Sequence, residues 1–226
     1  MSHNRMREKA TRSRLMAKIE PFEENTARYE DWFESNKYAY ESEIKAINLL
    51  LPEKGIGLEI GVGSGRFAEP LEIKYGVEPS GKIREISQKR GIEVIDGIAE
   101  ELPYGDSTFD YALMVTTICF IDDVETALKE AFRILKPGGY IIIAFVDKES
   151  RLGKFYLEHN NESLFYKIAT FYSVEEVVAY LKKARFKNFI FAQTIFHDLK
   201  DIKSAEAVKE GYGEGSFVVV RGVKQT

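Results

Sequence analysis

The chain has 226 residues, 44% of them hydrophobic and 30% charged, with a net charge of −4. That apolar content suffices for one full-sized core with an appendage, while the acidic balance weighs against a nucleic-acid partner, which favours a basic face. Cys119 is the only cysteine, so intramolecular disulfides are excluded and a reducing, cytoplasmic setting is expected. The longest apolar runs, Tyr140 to Val146 and Phe217 to Val220, are too short for a membrane span, and no apolar segment follows the early basic residues as a signal peptide would require. A soluble, intracellular protein is the expectation, and its wealth of Glu and Lys is compatible with a thermophile.

In chain order, Arg5, Arg7, Lys9, Arg12, Arg14 and Lys18 stand against Glu8 alone, a pattern that suits a solvated terminal segment better than an anionic-surface contact. Tyr40, Ile44, Ile47 and Leu51 recur at helical spacing, and Pro52 stops that helix. A short buried strand, Gly57 to Ile60, leads into a brief helix limited by Pro70, and residues 73–78 form the next strand. Ser80 is placed to cap a helix carrying Ile83 and Ile86, which closes at Lys89, Arg90 and Gly91. Strands Ile92 to Ile95 and Phe109 to Val115 follow. Asp122 or Asp123 then opens a helix with Val124, Leu128, Ala131, Phe132 and Leu135 on one face. Lys136-Pro137-Gly138-Gly139 breaks it before a strand from Tyr140 to Val146. Ser173 and Glu176 form a capping box for a helix through Ala184. Two strands without an intervening helix, Asn188 to Phe196 and Ser216 to Val223, should pair antiparallel.

Such alternation predicts an α/β, Rossmann-like, doubly wound parallel sheet with helices on both faces. Without repeats or a proline-rich linker, one domain is expected. It divides into an N-terminal helical cap (1–54), a cofactor-binding core (55–147), a substrate-side insertion (148–172) and a closing helix and hairpin (173–226).

The chemistry starts at Glu59-Ile60-Gly61-Val62-Gly63-Ser64-Gly65-Arg66. Glycines after a buried strand let backbone approach a ligand, and a second strand ending on Glu78 suits a nucleoside ribose. A P-loop needs Gly-Lys followed by Ser or Thr, and Arg66-Phe67 stands there instead. The even spacing also departs from the dinucleotide pattern. Taken alone the loop leaves an NAD(P)-dependent Rossmann oxidoreductase and a non-catalytic nucleoside-binding module open.

Four further motifs occur in order: Ala99-Glu100-Glu101-Leu102-Pro103-Tyr104, Ser107-Thr108-Phe109-Asp110, Glu130-x-x-Arg133, and Leu135-Lys136-Pro137-Gly138-Gly139. With the glycine loop and Glu78 they resemble the class I S-adenosylmethionine-dependent methyltransferases, in particular the small-molecule, type 11 branch. The resemblance covers about residues 55–147 and implies a seven-stranded sheet in the order 3-2-1-4-5-7-6 with the last strand antiparallel. It implies S-adenosylmethionine as cofactor, S-adenosylhomocysteine as product, and in-line methyl transfer to a small-molecule acceptor through N, O, S or C. A monomer or homodimer without membrane or nucleic-acid partners is expected.

Carried over by residue, Gly61, Gly63 and Gly65 would pass under the cofactor. Glu59 would hold its methionine end or else accept loop amides. Glu78 would accept both ribose hydroxyls, which a carboxylate can do at once, and Pro79 and Thr116 would also bind the cofactor. Where relatives often carry an aspartate this chain has Ile98, so Ile98 and the Ala99 amide would meet the adenine, Asp96 lying too far off. Thr116 to Phe120 lacks the histidines of many relatives. Neither a catalytic residue nor a metal site is assigned: Cys119 reads as a core residue, and His159 and His197 as surface or packing residues. The segment leaving the fifth strand should overhang the crevice. Its aromatics and those of the cap either pack the cap or enclose an acceptor, and Tyr29, Trp32, Tyr156 and Tyr172 are the substrate-binding candidates.

Overall fold

The computed structural model describes residues 18–225. Of the early basic group only Lys18 falls among them, so the expectation about Arg5 to Arg14 lies outside the described residues.

Eight strands form one sheet: β1 (Gly57–Ile60), β2 (Tyr75–Val77), β3 (Glu93–Ile95), β4 (Phe109–Val115), β5 (Leu135–Val146), β6 (Phe186–Thr194), β7 (Lys209–Glu210) and β8 (Phe217–Lys224). Their order is β3-β2-β1-β4-β5-β8-β6-β7. The first five are parallel, and β8 runs antiparallel to both β5 and β6. The expected order is kept and β7 is added at the edge, where it pairs only with Ala192 and Gln193. The Gln193 side chain supports this edge, donating to the Glu210 carbonyl at 3.3 Å and accepting from the Glu214 and Gly215 amides at 2.8 and 2.7 Å.

Strand periodicity splits the core into two layers. Along β4, Ala112 and Met114 face one side, where α5 (Val124–Ile134) and α7 (Val174–Lys183) pack through Leu128, Ala131, Val177 and Leu181. Tyr111, Leu113 and Val115 face the other, against Ala46, Ile47 and Leu50 of α3 (Lys37–Leu50). Residues 18–24 (α1) and α2 (Thr26–Ser35) precede α3, α4 (Gly81–Lys89) follows β2, and α6 (Arg151–Glu158) follows β5. Among the described residues no helix is long and apolar enough to cross a membrane.

Three local expectations are corrected. Residues 61–72 form successive turns instead of a brief helix: Glu69 donates to the Gly65 carbonyl at 3.0 Å and Ile73 to Ala68 at 2.9 Å, but Pro70 has no donor to continue the ladder. β5 begins at Leu135, paired with Phe109, and runs through Lys136-Pro137-Gly138-Gly139 with a register shift. Ser80 occupies the N-cap position of α4 but makes no capping bond; its hydroxyl donates to Glu23 at 2.8 Å.

The capping box at α7 is present in both directions, with Ser173 Oγ accepting from the Glu176 amide at 3.2 Å and Glu176 from the Ser173 amide at 2.8 Å. Ser173→Ala is expected to lower unfolding free energy by about 1 kcal/mol, read from urea denaturation.

Candidate functional site

The carboxyl ends of β1, β2 and β4, with the loop after β3, surround a cavity of about 120 Å³. Gly61, Gly63, Glu78, Pro79, Ile98, Ala99 and Thr116 line it, whereas Glu59 and Gly65 do not. A side chain at Gly65 would meet Ile92 at 2.4 Å and Ser87 at 3.2 Å, so this glycine serves packing between the loop and α4. Glu59 is 1% exposed and lies behind the loop, where the Ala68 amide is its hydrogen-bond donor and its Oε2 has no partner among the described residues. Burial, with Glu78 nearby, pushes its carboxyl well above the usual range against the pull of that amide.

Glu78 ties the two strand ends together. Its carboxylate accepts from the Gly63 amide at 3.0 Å and the Ser80 amide at 2.9 Å. Burial raises its pKa to about 7, the two amides and Arg84 opposing. The glycine loop leaves no room for side chains: a Cβ at Gly61 (φ 70°) would stand 2.3 Å from Thr117 Cγ2, and one at Gly63 (φ 54°) 2.6 Å from the Tyr29 hydroxyl. Lys18, at the rim, pairs with Asp122 at 2.7 Å. Asp96 is drawn away from the cavity by Arg84, at 3.0 Å.

A second cavity, of about 240 Å³, adjoins the first. Phe22, Tyr29, Thr116 and Phe120 line both. Trp32, Tyr156 and Tyr172 line the second, so the four candidate aromatics converge there, with Tyr29 at the junction. Burial first, and then Glu78, Glu59 and Glu30, hold the Tyr29 phenol far above its ordinary range.

Comparison with known proteins gives the family. The family described as "Methyltransferase domain" matches residues 58–143. An uncharacterized protein of Methanocaldococcus jannaschii is 46% identical over 203 residues, 90% of this chain and 98% of that one. A crystal structure from Thermotoga maritima, described as an S-adenosylmethionine-dependent methyltransferase and possible histamine N-methyltransferase, superimposes with a TM-score of 0.90 at 54% identity, covering 92% of this chain and 100% of the other. The chain belongs to the class I S-adenosylmethionine-dependent methyltransferases. A mitochondrial 2-methoxy-6-polyprenyl-1,4-benzoquinol methylase of Xenopus laevis is 29% identical over 64% of this chain and 42% of its own length.

The cofactor of this methyltransferase is S-adenosylmethionine. The site fits it on two observations: the cavity opens onto bare loop backbone beside the Glu78 carboxylate, and a buried oxygen of Glu59 stands unsatisfied behind the loop. Among the described residues, His159 and His197 line neither cavity. His159 stacks on Phe155 at 4.3 Å, and His197 pairs with Glu206 while its neighbour Asp198 pairs with Arg151. Cys119 lines the second cavity, donates its thiol to the Thr116 carbonyl at 2.9 Å and is pushed up to about 12 by burial, so it is no thiolate nucleophile.

One residue of the methyltransferase's second cavity escaped the sequence reading. Glu43 lines it, 5% exposed, from the buried face of α3. The signal was present, because Ala39, Glu43, Ala46, Ile47 and Leu50 share one helical face, and a carboxylate in an apolar stripe is anomalous.

Burial alone raises the Glu43 pKa to about 8, against 4.5 for a free side chain. Between those values the folded protein holds a proton that the unfolded chain has released, so this group's contribution to stability falls as pH rises through the window and levels off above it. Glu43→Gln is therefore expected to gain stability over wild type between pH 5 and 8, the gain growing with pH in paired urea denaturations. Gly63→Ala is expected to weaken S-adenosylhomocysteine binding at least tenfold by calorimetry, since the added methyl collides with Tyr29 at a positive φ.

Proposed function

We propose that this enzyme methylates a small-molecule acceptor, with the adenosyl cofactor in the first cavity and the acceptor in the second. The observation that carries the reading is the shared wall of Phe22, Tyr29, Thr116 and Phe120 between a loop-and-carboxylate cavity and an aromatic one. A ligand in each has only that wall between it and the other. The relatives' descriptions lend support, since the Thermotoga structure is described by an amine and the Xenopus methylase by a benzoquinol, both small molecules. The single cysteine supports a reducing, cytoplasmic setting.

Each residue takes a role from where it stands. Glu78, already oriented by two amides, accepts the vicinal hydroxyls of a ribose. Ile98 and Ala99 flank the adenine, and Gly61 and Gly63 present backbone to the remainder of the cofactor. Glu59 acts from behind the loop, holding the Ala68 amide and offering its free oxygen to the amino end of the methionine portion. The aromatic walls of Tyr29, Trp32, Tyr156 and Tyr172 exclude water from the acceptor. When bound, the cofactor supplies an electrophilic methyl group on a sulfonium that leaves as a neutral thioether. Little anionic charge then develops at the leaving sulfur, so the chain's contribution is alignment and dryness.

Calorimetry with S-adenosylmethionine, S-adenosylhomocysteine and NAD tests the reading, and binding of NAD alone would sink it. Glu78→Ala is expected to weaken S-adenosylhomocysteine binding by about tenfold to a hundredfold, the scale of losing hydrogen bonds to a charged group. An unchanged dissociation constant would remove Glu78 from the ribose site.

A further inference from the structure

Glu43 is the one acid in the wall of the second cavity, and its carboxyl makes no hydrogen bond or ion pair among the described residues. Among the described residues the cavity's other charged side chain is Arg28, which is exposed. Around Glu43 the lining is aromatic and aliphatic: Tyr156 and Tyr166 have ring centroids 4.2 Å apart, with Phe145 and Phe171 beside them. Both phenols are held neutral, burial raising Tyr156 to about 12 and Tyr166 well above its ordinary range.

A carboxyl in such surroundings is costly. Burial keeps the unpartnered acid protonated, and even so its polar atoms lose water without gaining a partner, a penalty an apolar residue at the same helical position would avoid. Its neighbours on that face, Ala39, Ala46, Ile47 and Leu50, are the apolar solution. A group kept at such cost and open to a cavity is completed by what enters that cavity. An amine meets both features of the wall: entering uncharged it takes the Glu43 proton, and the ammonium so formed pairs with the carboxylate and lies against aromatic faces that attract cations. A neutral quinol or phenol satisfies only the aromatic part.

We propose that Glu43 is the acceptor-recognition residue and that the acceptor carries a basic nitrogen, seated as a cation against the Glu43 carboxylate. This deepens the small-molecule reading above and rests on it. Glu43 thereby sets which acceptors enter, while donor binding is left to the first cavity.

The test uses the full-length protein saturated with S-adenosylhomocysteine and two probes of nearly equal shape, 2-phenylethylamine and 2-phenylethanol, titrated calorimetrically. The amine is expected to bind wild type at least tenfold more tightly than the alcohol. Glu43→Gln is expected to abolish that preference while leaving S-adenosylhomocysteine affinity unchanged, which also certifies its fold. Should the Gln variant fail to hold S-adenosylhomocysteine, Glu43→Leu, which restores an apolar stripe, is read in the same way. Equal affinities in wild type, no binding of the amine, or a preference that survives both substitutions would overturn the proposal and leave the methyltransferase site intact. Failure of wild type to bind S-adenosylhomocysteine would instead overturn the reading of the two cavities on which it rests.

Discussion

The site depends on one topological constraint: the chain leaves β1 for β2 and β3 on one side, and returns to β4 and β5 on the other. Connections that diverge in this way cannot fill the space above β1 and β4, so a crevice forms at the carboxyl ends of the strands. Hydrogen bonds carry the strand ladders beyond their regular ends into that crevice. The Gly61 and Val62 amides both donate to the Val77 carbonyl, at 2.8 and 3.0 Å, and the Glu78 amide donates to Ile95 at 3.1 Å. On the other side the Thr116 amide donates to Ala144 at 2.8 Å. The loop residues are thus held almost as firmly as the strands they leave, which lets backbone act as the binding surface.

The N-terminal helices close that crevice through a charge cluster. Glu30 of α2 pairs with Arg66 of the glycine loop at 2.9 Å and with Arg90, after α4, at 2.7 Å. Arg66 also reaches Glu34 at 2.9 Å, and its carbonyl accepts from the Tyr40 hydroxyl. One carboxylate bridging two guanidinium groups gives more geometric definition than an exposed pair would. It fixes α2 over the loop and so fixes Tyr29 over Gly63. From there α3 continues as a full layer on one sheet face, and so belongs to the core as much as to the cap.

What could be read in the residues beforehand follows from how local the signals are. The capping box at Ser173 and the strand at Phe109 to Val115 are short-range and appear as expected. Equally local are the glycine loop and Glu78, of which Gly61, Gly63 and Glu78 line the first cavity. Features set by partners distant in sequence were hidden. The hydroxyl of Ser80 is taken by Glu23 from a helix 57 residues away, and β7 consists of two residues with no pattern of their own. Glu59 and Gly65 belong to the glycine-loop motif yet are absent from the lining, because Glu59 is buried at its place in β1 and Gly65 packs against Ile92 and Ser87. Glu43 was legible in principle from its helical spacing with Ala39, Ala46, Ile47 and Leu50.

Tyr29 has its hydroxyl at the glycine loop and its ring among Phe22, Phe33 and Phe165, at centroid distances of 5.8, 5.4 and 6.1 Å. A single side chain therefore presents its polar end to one chamber and its flank to the other. Any shift of that ring changes the shape of both chambers at once. Thermodynamic linkage then makes the effect mutual: whatever free energy the occupant of one chamber adds to binding in the other, it receives back in full. Binding in the first chamber is thereby coupled to occupancy of the second through a wall to which Tyr29 contributes its ring.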